Sequence, residues 1–307
     1  MSKIIKNPGV LNGLGIALSF YLMTSSDRWL PLVLLVSLVS FVPCGAVWGQ
    51  TPSATPAAQP SATAEDDDAA LVPTEPDFTL INLPTTLRLP RYKGNFRLTH
   101  RFQSNLRTGS FGSQASNLFG LDSGAAIGFE FRFAVARHLQ AAAYRTNIDR
   151  QTQFYVKYDP IAQRSATPVS VSMVASVEGA NNFRRDRSPA LGAVISRKVR
   201  EAAALYATPM WVHNSSSVGD VRDTGFVGLG GRVRVRPSVY VVAEVSPRLG
   251  GYAPGDPEYS FAIESRYGGH VFQLNFSNTV GTTFSQIARG GAPSSLYLGF
   301  NLARKFY

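Results

Sequence analysis

Residues 124–135 read GAAIGFEFRFAV, and their period decides the fold. Ile127, Phe129, Phe131 and Phe133 alternate with Gly128, Glu130 and Arg132. Strict alternation over this length is the pattern of a strand with one apolar and one polar face. The stretch NFRLTHRF at 95–102 repeats it, with Phe96, Leu98 and Phe102 opposite Arg97, Thr99 and Arg101. His100 falls in the apolar phase of that strand.

Further along come PVSVSMVASVEG (168–179), VGLGGRVRVRP (227–237), SVYVVAEVS (238–246), EYSFAIESRY (258–267), HVFQLNFS (270–277) and SLYLGFNLARKFY (295–307). About 12 such segments fit between residues 94 and 307, an even number of the length that crosses a hydrocarbon layer when tilted. The fold class read from this pattern is all-β: a single antiparallel up-and-down transmembrane barrel. Long connections near 105–122, 179–189, 214–224, 248–257 and 280–294 alternate with short ones at Ala136, 198–202, Pro237 and Gly268-Gly269. Short turns on the periplasmic side and long loops outside are the barrel habit. Asp149-Arg150, too short for an outer loop, and 160–167, long for an inner turn, break the alternation and suggest a misplaced strand boundary. LINLPTTLRLP (80–90) carries Pro84 and Pro90, which reduces it to an edge or lead-in segment.

Residues 1–49 read as a signal peptide. LPLVLLVSLVSFVP (30–43) is its apolar core, CGAVWGQ follows, and cleavage after Gly49 suits the small residues there. Met23, followed by TSSDRW, reads as the true start. Residues 50–77 are rich in Pro, Ala, Ser and Thr, with an acidic cluster at Glu65-Asp66-Asp67-Asp68; they read as a disordered linker. The barrel domain then spans 78–307. Cys44 is the only cysteine and lies in the leader, so the exported part has no disulfide framework and no thiolate chemistry. Localisation in the bacterial outer membrane follows.

In order along the chain, LPRYKGNFRLTHRF, GLDSGAAIGFEF, PVSVSMVAS, GLGGRVRV, GGHVFQLNFSN and LGFNLARKF resemble a bacterial β-barrel family known as domain-of-unknown-function family 5777. The resemblance covers roughly residues 80–307. It implies an outer-membrane barrel and carries over no catalytic or binding residue.

Residues 78–307 hold 27 Lys or Arg, 23 of them Arg, against 13 Asp or Glu. By phase, Arg97, Arg101, Arg132, Arg232, Arg234, Arg236 and Arg266 point inward, together with Glu130, Glu178, Glu244 and Glu264. Two readings of these lumen-lining residues stand. Surplus arginines make an anion-favouring pore, or Arg and Glu pair across a narrow barrel and close it. Tyr92, Tyr158, Trp211, Tyr240, Tyr259 and Tyr267 suit interfacial girdles. FRRDR at 183–187 could meet lipid phosphates or acidic sugars.

The sequence pI of 9.9 raises nucleic acid as a partner, but no recognition helix or stacking platform accompanies it. An enzyme reading rests on His213 in HNSSS, where an imidazole could sit beside a serine hydroxyl. No nucleophile elbow and no metal-ligand spacing supports it, so the chain is read as a non-enzyme without cofactor. The function expected is a narrow passive pore for small anions or a closed structural barrel. The alternatives are a barrel hydrolase, or a soluble periplasmic ligand-binding barrel with the faces reversed. Expected partners are outer-membrane lipid, lipopolysaccharide and the barrel-assembly machinery, with periplasmic partners open.

Overall fold

The computed structural model describes residues 74–215, 223–251 and 256–306. The signal peptide, the Met23 start and linker residues 50–73 lie outside the described residues.

Twelve strands form among the described residues: β1 (Gly94–Phe102), β2 (Ala125–Ala136), β3 (Leu139–Thr146), β4 (Thr152–Ile161), β5 (Ser170–Gly179), β6 (Arg185–Val199), β7 (Ala203–Val212), β8 (Thr224–Arg236), β9 (Val239–Ser246), β10 (Glu258–Tyr267), β11 (His270–Ser277) and β12 (Tyr297–Phe306). Each pairs antiparallel with its chain neighbours, and β12 returns to pair with β1, closing the barrel. Closure leaves no unpaired strand edge.

Register keeps like with like. In the β1–β2 pair, Phe96 faces Phe131 and Leu98 faces Phe129, while Arg97 faces Glu130 and Asn95 faces Arg132. A slip of one residue would turn every arginine toward the apolar side. The apolar phase points out: Phe131 is 53% exposed and its neighbour Arg132 only 1%. Leu191, Leu205, Val241, Ile263, Phe272, Leu302 and Phe306 continue this exposed apolar wall. A soluble barrel needs the opposite arrangement, so that alternative is overturned.

The connections sort by length as the sequence suggests, and the two irregular ones are real. Residues 147–151 close an outer connection in five residues because Asp149 and Arg150 adopt positive φ (50° and 49°). Residues 162–169 remain a long connection on the short-turn side. The suspected boundary error is therefore corrected: both strand ends stand. The outer connection placed at 179–189 shrinks instead, since β6 begins at Arg185.

Among the described residues, two short helices form in long loops, α1 (Phe111–Ser116) and α2 (Phe284–Ala288). Helix α2 opens with a capping box, Thr283 to Gln286, and its residues are all buried. It turns into the barrel rather than out to water.

The main departure concerns LINLPTTLRLP. It is neither an edge strand nor a lead-in outside the sheet. Residues 74–89 form a hairpin-like segment inside the lumen, closed by Leu80 N to Leu83 O at 2.8 Å and Thr85 N to Phe78 O at 2.9 Å. Phe78, Leu80, Ile81 and Leu83 are completely buried. The prolines that forbid a ladder position do not forbid this, because the segment bonds mainly to side chains. Thr74–Asp77, assigned to the linker by composition, are described and belong to this inserted segment, with Thr74, Glu75 and Asp77 buried.

Candidate functional site

The interior of the barrel is a polar wall closed over an inserted backbone. The hairpin tip, Ile81 to Leu83, points its amides at Glu244 on β9: Ile81 N donates at 3.0 Å, Asn82 N at 2.8 Å and Leu83 N at 3.2 Å. One carboxylate thus caps three consecutive amides that would otherwise be buried without partners. Its carbonyls meet donors from around the wall. Arg232 donates to Thr79 O at 2.8 Å, Gln273 to Leu80 O at 2.8 Å, and both Arg97 and Asn301 to Ile81 O. Lys157 donates to Thr85 O at 2.9 Å and Leu87 O at 2.7 Å. Arg101 reaches Asn82 Oδ1 at 3.0 Å, and Asn82 Nδ2 reaches Glu258 Oε1 at 3.2 Å.

The wall is shaped for the segment as well as charged for it. Gly228 and Gly230 take inward positions on β8. A Cβ on Gly228 would lie 2.6 Å from Leu83 Cδ1, and one on Gly230 2.6 Å from Leu80 Cδ1. Side chains there would displace the hairpin. Leu80, Ile81 and Leu83 share one buried apolar cluster with Tyr155, Phe226, Tyr240, Phe284 and Ile287. The hairpin and α2 therefore contribute to a single core inside the barrel.

The sequence-derived lining residues divide into three groups. Arg132 and Glu130 pair at 2.9 Å along β2. Arg232 and Glu264 pair across β8 and β10, with nitrogen–oxygen distances of 2.9 Å for both carboxylate oxygens. These are the salt-bridged interior. The second group faces inserted segments: Arg97, Arg101 and Glu244 hold the hairpin, and Glu178 accepts from Ser285 N at the start of α2 at 2.5 Å. All eight of these side chains are buried.

The third group lies toward the short-turn rim, where Arg234 and Arg266 keep the inward phase opposite the buried Tyr240 and Val271. Arg234 is half-buried at the short-turn rim, 3.9 Å from Glu201, and Arg266 is half-buried near the end of β10. Arg236 is exposed, since an irregularity in the β8–β9 register between Arg234 and Arg236 breaks the alternation just before the turn. On β8 alone the phase was carried one position too far.

Sequence reasoning missed Lys157, Asp159 and Glu258, all buried. Lys157 and Asp159 pair at 3.0 Å on β4. Their signal was present in QFYVKYD (153–159), where Gln153, Tyr155, Lys157 and Asp159 share the polar phase. Tyr240, placed in a girdle by residue type, is buried among the core residues instead. Tyr92, Tyr158, Trp211 and Tyr267 are exposed.

His213 stands at the long-loop end, its Nδ1 2.7 Å from Asp223 Oδ1. Ser215 Oγ is engaged with Thr224 Oγ1 at 2.7 Å and is buried. Ser216 and Ser217 lie outside the described residues. Among the described residues, no group of three or more His, Cys, Asp or Glu gathers as a metal site would need.

A closed antiparallel barrel with an apolar outer wall and a polar interior defines a membrane-bound β-barrel of the outer-membrane type. Residues 77–306 match the family model described as membrane bound beta barrel domain (DUF5777), and the chain belongs to that family. No curated protein matches it in sequence. Among solved structures it is similar to the NanC porin, with a TM-score of 0.45 and 8% identity over 70% of this chain and 99% of that one. An outer membrane channel from Pseudomonas putida F1 gives 0.44 and 13% over 71% and 97%. Outer membrane phospholipase A from Escherichia coli gives 0.43 and 9% over 76% and 98%.

Proposed function

We propose that the protein is a bacterial outer-membrane barrel that rests closed, stoppered from the short-turn end by its own residues 74–89 and from the long-loop end by α2. One observation carries this reading: the interior charges that do not pair with each other bond instead to the inserted hairpin and to α2. An open anion filter needs guanidinium groups free to meet a passing ion. Arg97, Arg101, Arg132 and Arg232 all have partners within the protein. The arginine surplus is a docking surface for backbone carbonyls, and a solute path through this lumen requires the hairpin to leave.

In this reading the short turns and residue 74 face the periplasm, the long loops face outward, and an N-terminal export signal brings the chain to the barrel-assembly machinery. The activity is non-enzymatic. Planar-bilayer recording tests the closure. Refolded residues 50–307 should insert without stable conductance steps, whereas the chain lacking residues 74–89 should give steps with an anion-favouring reversal potential. Equal, stable conductance from both would overturn the resting closure.

A further inference from the structure

The irregular inner connection has a use. Residues 162–169 are fastened to the end of β6: Gln163 Nε2 donates to Lys198 O at 2.9 Å, and Lys198 N donates to Gln163 Oε1 at 2.7 Å. Within the connection, Arg164 and Thr167 exchange backbone bonds at 2.9 and 3.0 Å. Held this way, it forms one wall of an open groove of about 580 Å³, whose lining includes Arg164, Arg197, Arg200, Val199 and Leu205.

The groove carries positive charge on the outward face. Arg197 sits in the outward, apolar phase of β6, between Ile195 and Val199 and opposite Leu205 on β7. All four of these residues are exposed. A cation on the lipid face is costly at mid-membrane and tolerable near the interface, where a phosphate can meet it. No carboxylate among the described residues pairs with Arg164, Arg197 or Arg200, and Lys198 is turned toward Glu75, 3.5 Å away.

We infer that this groove seats the phosphate of an anionic phospholipid, with Arg164, Arg197 and Arg200 on the headgroup and the acyl chains lying along Val199, Leu205 and Ile195. Given the orientation proposed above, on which this part rests, the lipid belongs to the inner leaflet. The site follows the general logic of basic pockets beside apolar walls at a membrane boundary.

Native mass spectrometry of refolded residues 50–307 tests it, using phosphatidylglycerol, phosphatidylcholine and free glycerol phosphate as probes. Phosphatidylglycerol should be retained preferentially. Each of Arg164→Gln, Arg197→Gln and Arg200→Gln should weaken that retention about fivefold, a scale set by one basic residue near a charged surface. These side chains are exposed, and heat-modifiable gel migration verifies that each variant still folds. Equal retention of the two lipids, or retention unaffected in the triple variant, would overturn the site. Free glycerol phosphate binding as tightly as the lipid would overturn the lipid assignment. The assay is independent of orientation, which is tested separately by a membrane-impermeant thiol reagent on Arg200→Cys in intact cells. Labelling from outside would overturn the inner-leaflet placement alone.

Discussion

Glu244 shows how much a single residue carries in this interior. Its carboxylate accepts three consecutive hairpin amides. Glu244→Ala strands all three, at about 1–3 kcal/mol for each buried donor left without a partner. The expected outcome is faster amide hydrogen exchange at residues 81–83 in a barrel that still folds; unchanged protection would show that Glu244 does not hold the tip. Arg232 and Glu264 make the complementary case. Removing one partner, as in Arg232→Leu, leaves a buried carboxylate unpaired and should cost about 3–5 kcal/mol. Adding Glu264→Leu should recover much of that loss. The temperature at which heat-modifiable migration is lost measures both. If the double variant is no more stable than the single one, the pair does not act as a unit.

At the scale of elements, the hairpin and α2 are the parts that matter and the parts least visible in the sequence. The strands were legible because each presents two unlike surroundings, lipid and polar lumen, and so writes period two into its residues. GAAIGFEFRFAV and NFRLTHRF each separate an apolar from a polar face; which face turns outward and how the two strands register come from the structure. Residues 74–89 have no such pair of surroundings. Inside the lumen they are enclosed on all sides, so Leu80, Ile81 and Leu83 show no alternation, and Pro84 reads as a strand breaker. Their docking was foreshadowed only by Gly228 and Gly230, inward positions of β8 left without side chains. The same limit explains the lining residues. Phase located Arg97, Arg101, Arg132 and Arg232, but it could not show that their partners are a backbone inserted among them. It also failed at Arg236, where the register irregularity ends the alternation.

These elements give their own test. Gly228→Val together with Gly230→Val should expel Leu83 and Leu80 from their seats and make the 74–89 segment accessible to protease while the barrel resists it. Continued protection of that segment would mean the two glycines do not form its seat. For α2, Thr283→Ala removes half of the capping box and should cost about 1 kcal/mol. The effect should be confined to exchange at Phe284–Ala288, with the strands unchanged.

At the largest scale, the described residues join an apolar outer wall, a closed twelve-strand ladder and an interior filled from both ends by the chain itself. The barrel's polar face thus serves as an internal binding groove for its own N-terminal segment, and closure follows from that occupancy. The most direct test is disulfide trapping. Thr86 Oγ1 and Ser196 Oγ lie 2.5 Å apart, one on the hairpin and one on β6, and Cys44 is the chain's only native cysteine. With Thr86→Cys and Ser196→Cys introduced together, the folded, membrane-inserted protein should form an intramolecular disulfide under mild oxidation and resist thiol labelling beforehand. Two thiols that react freely with a water-soluble reagent and never cross-link in the folded barrel would contradict the account.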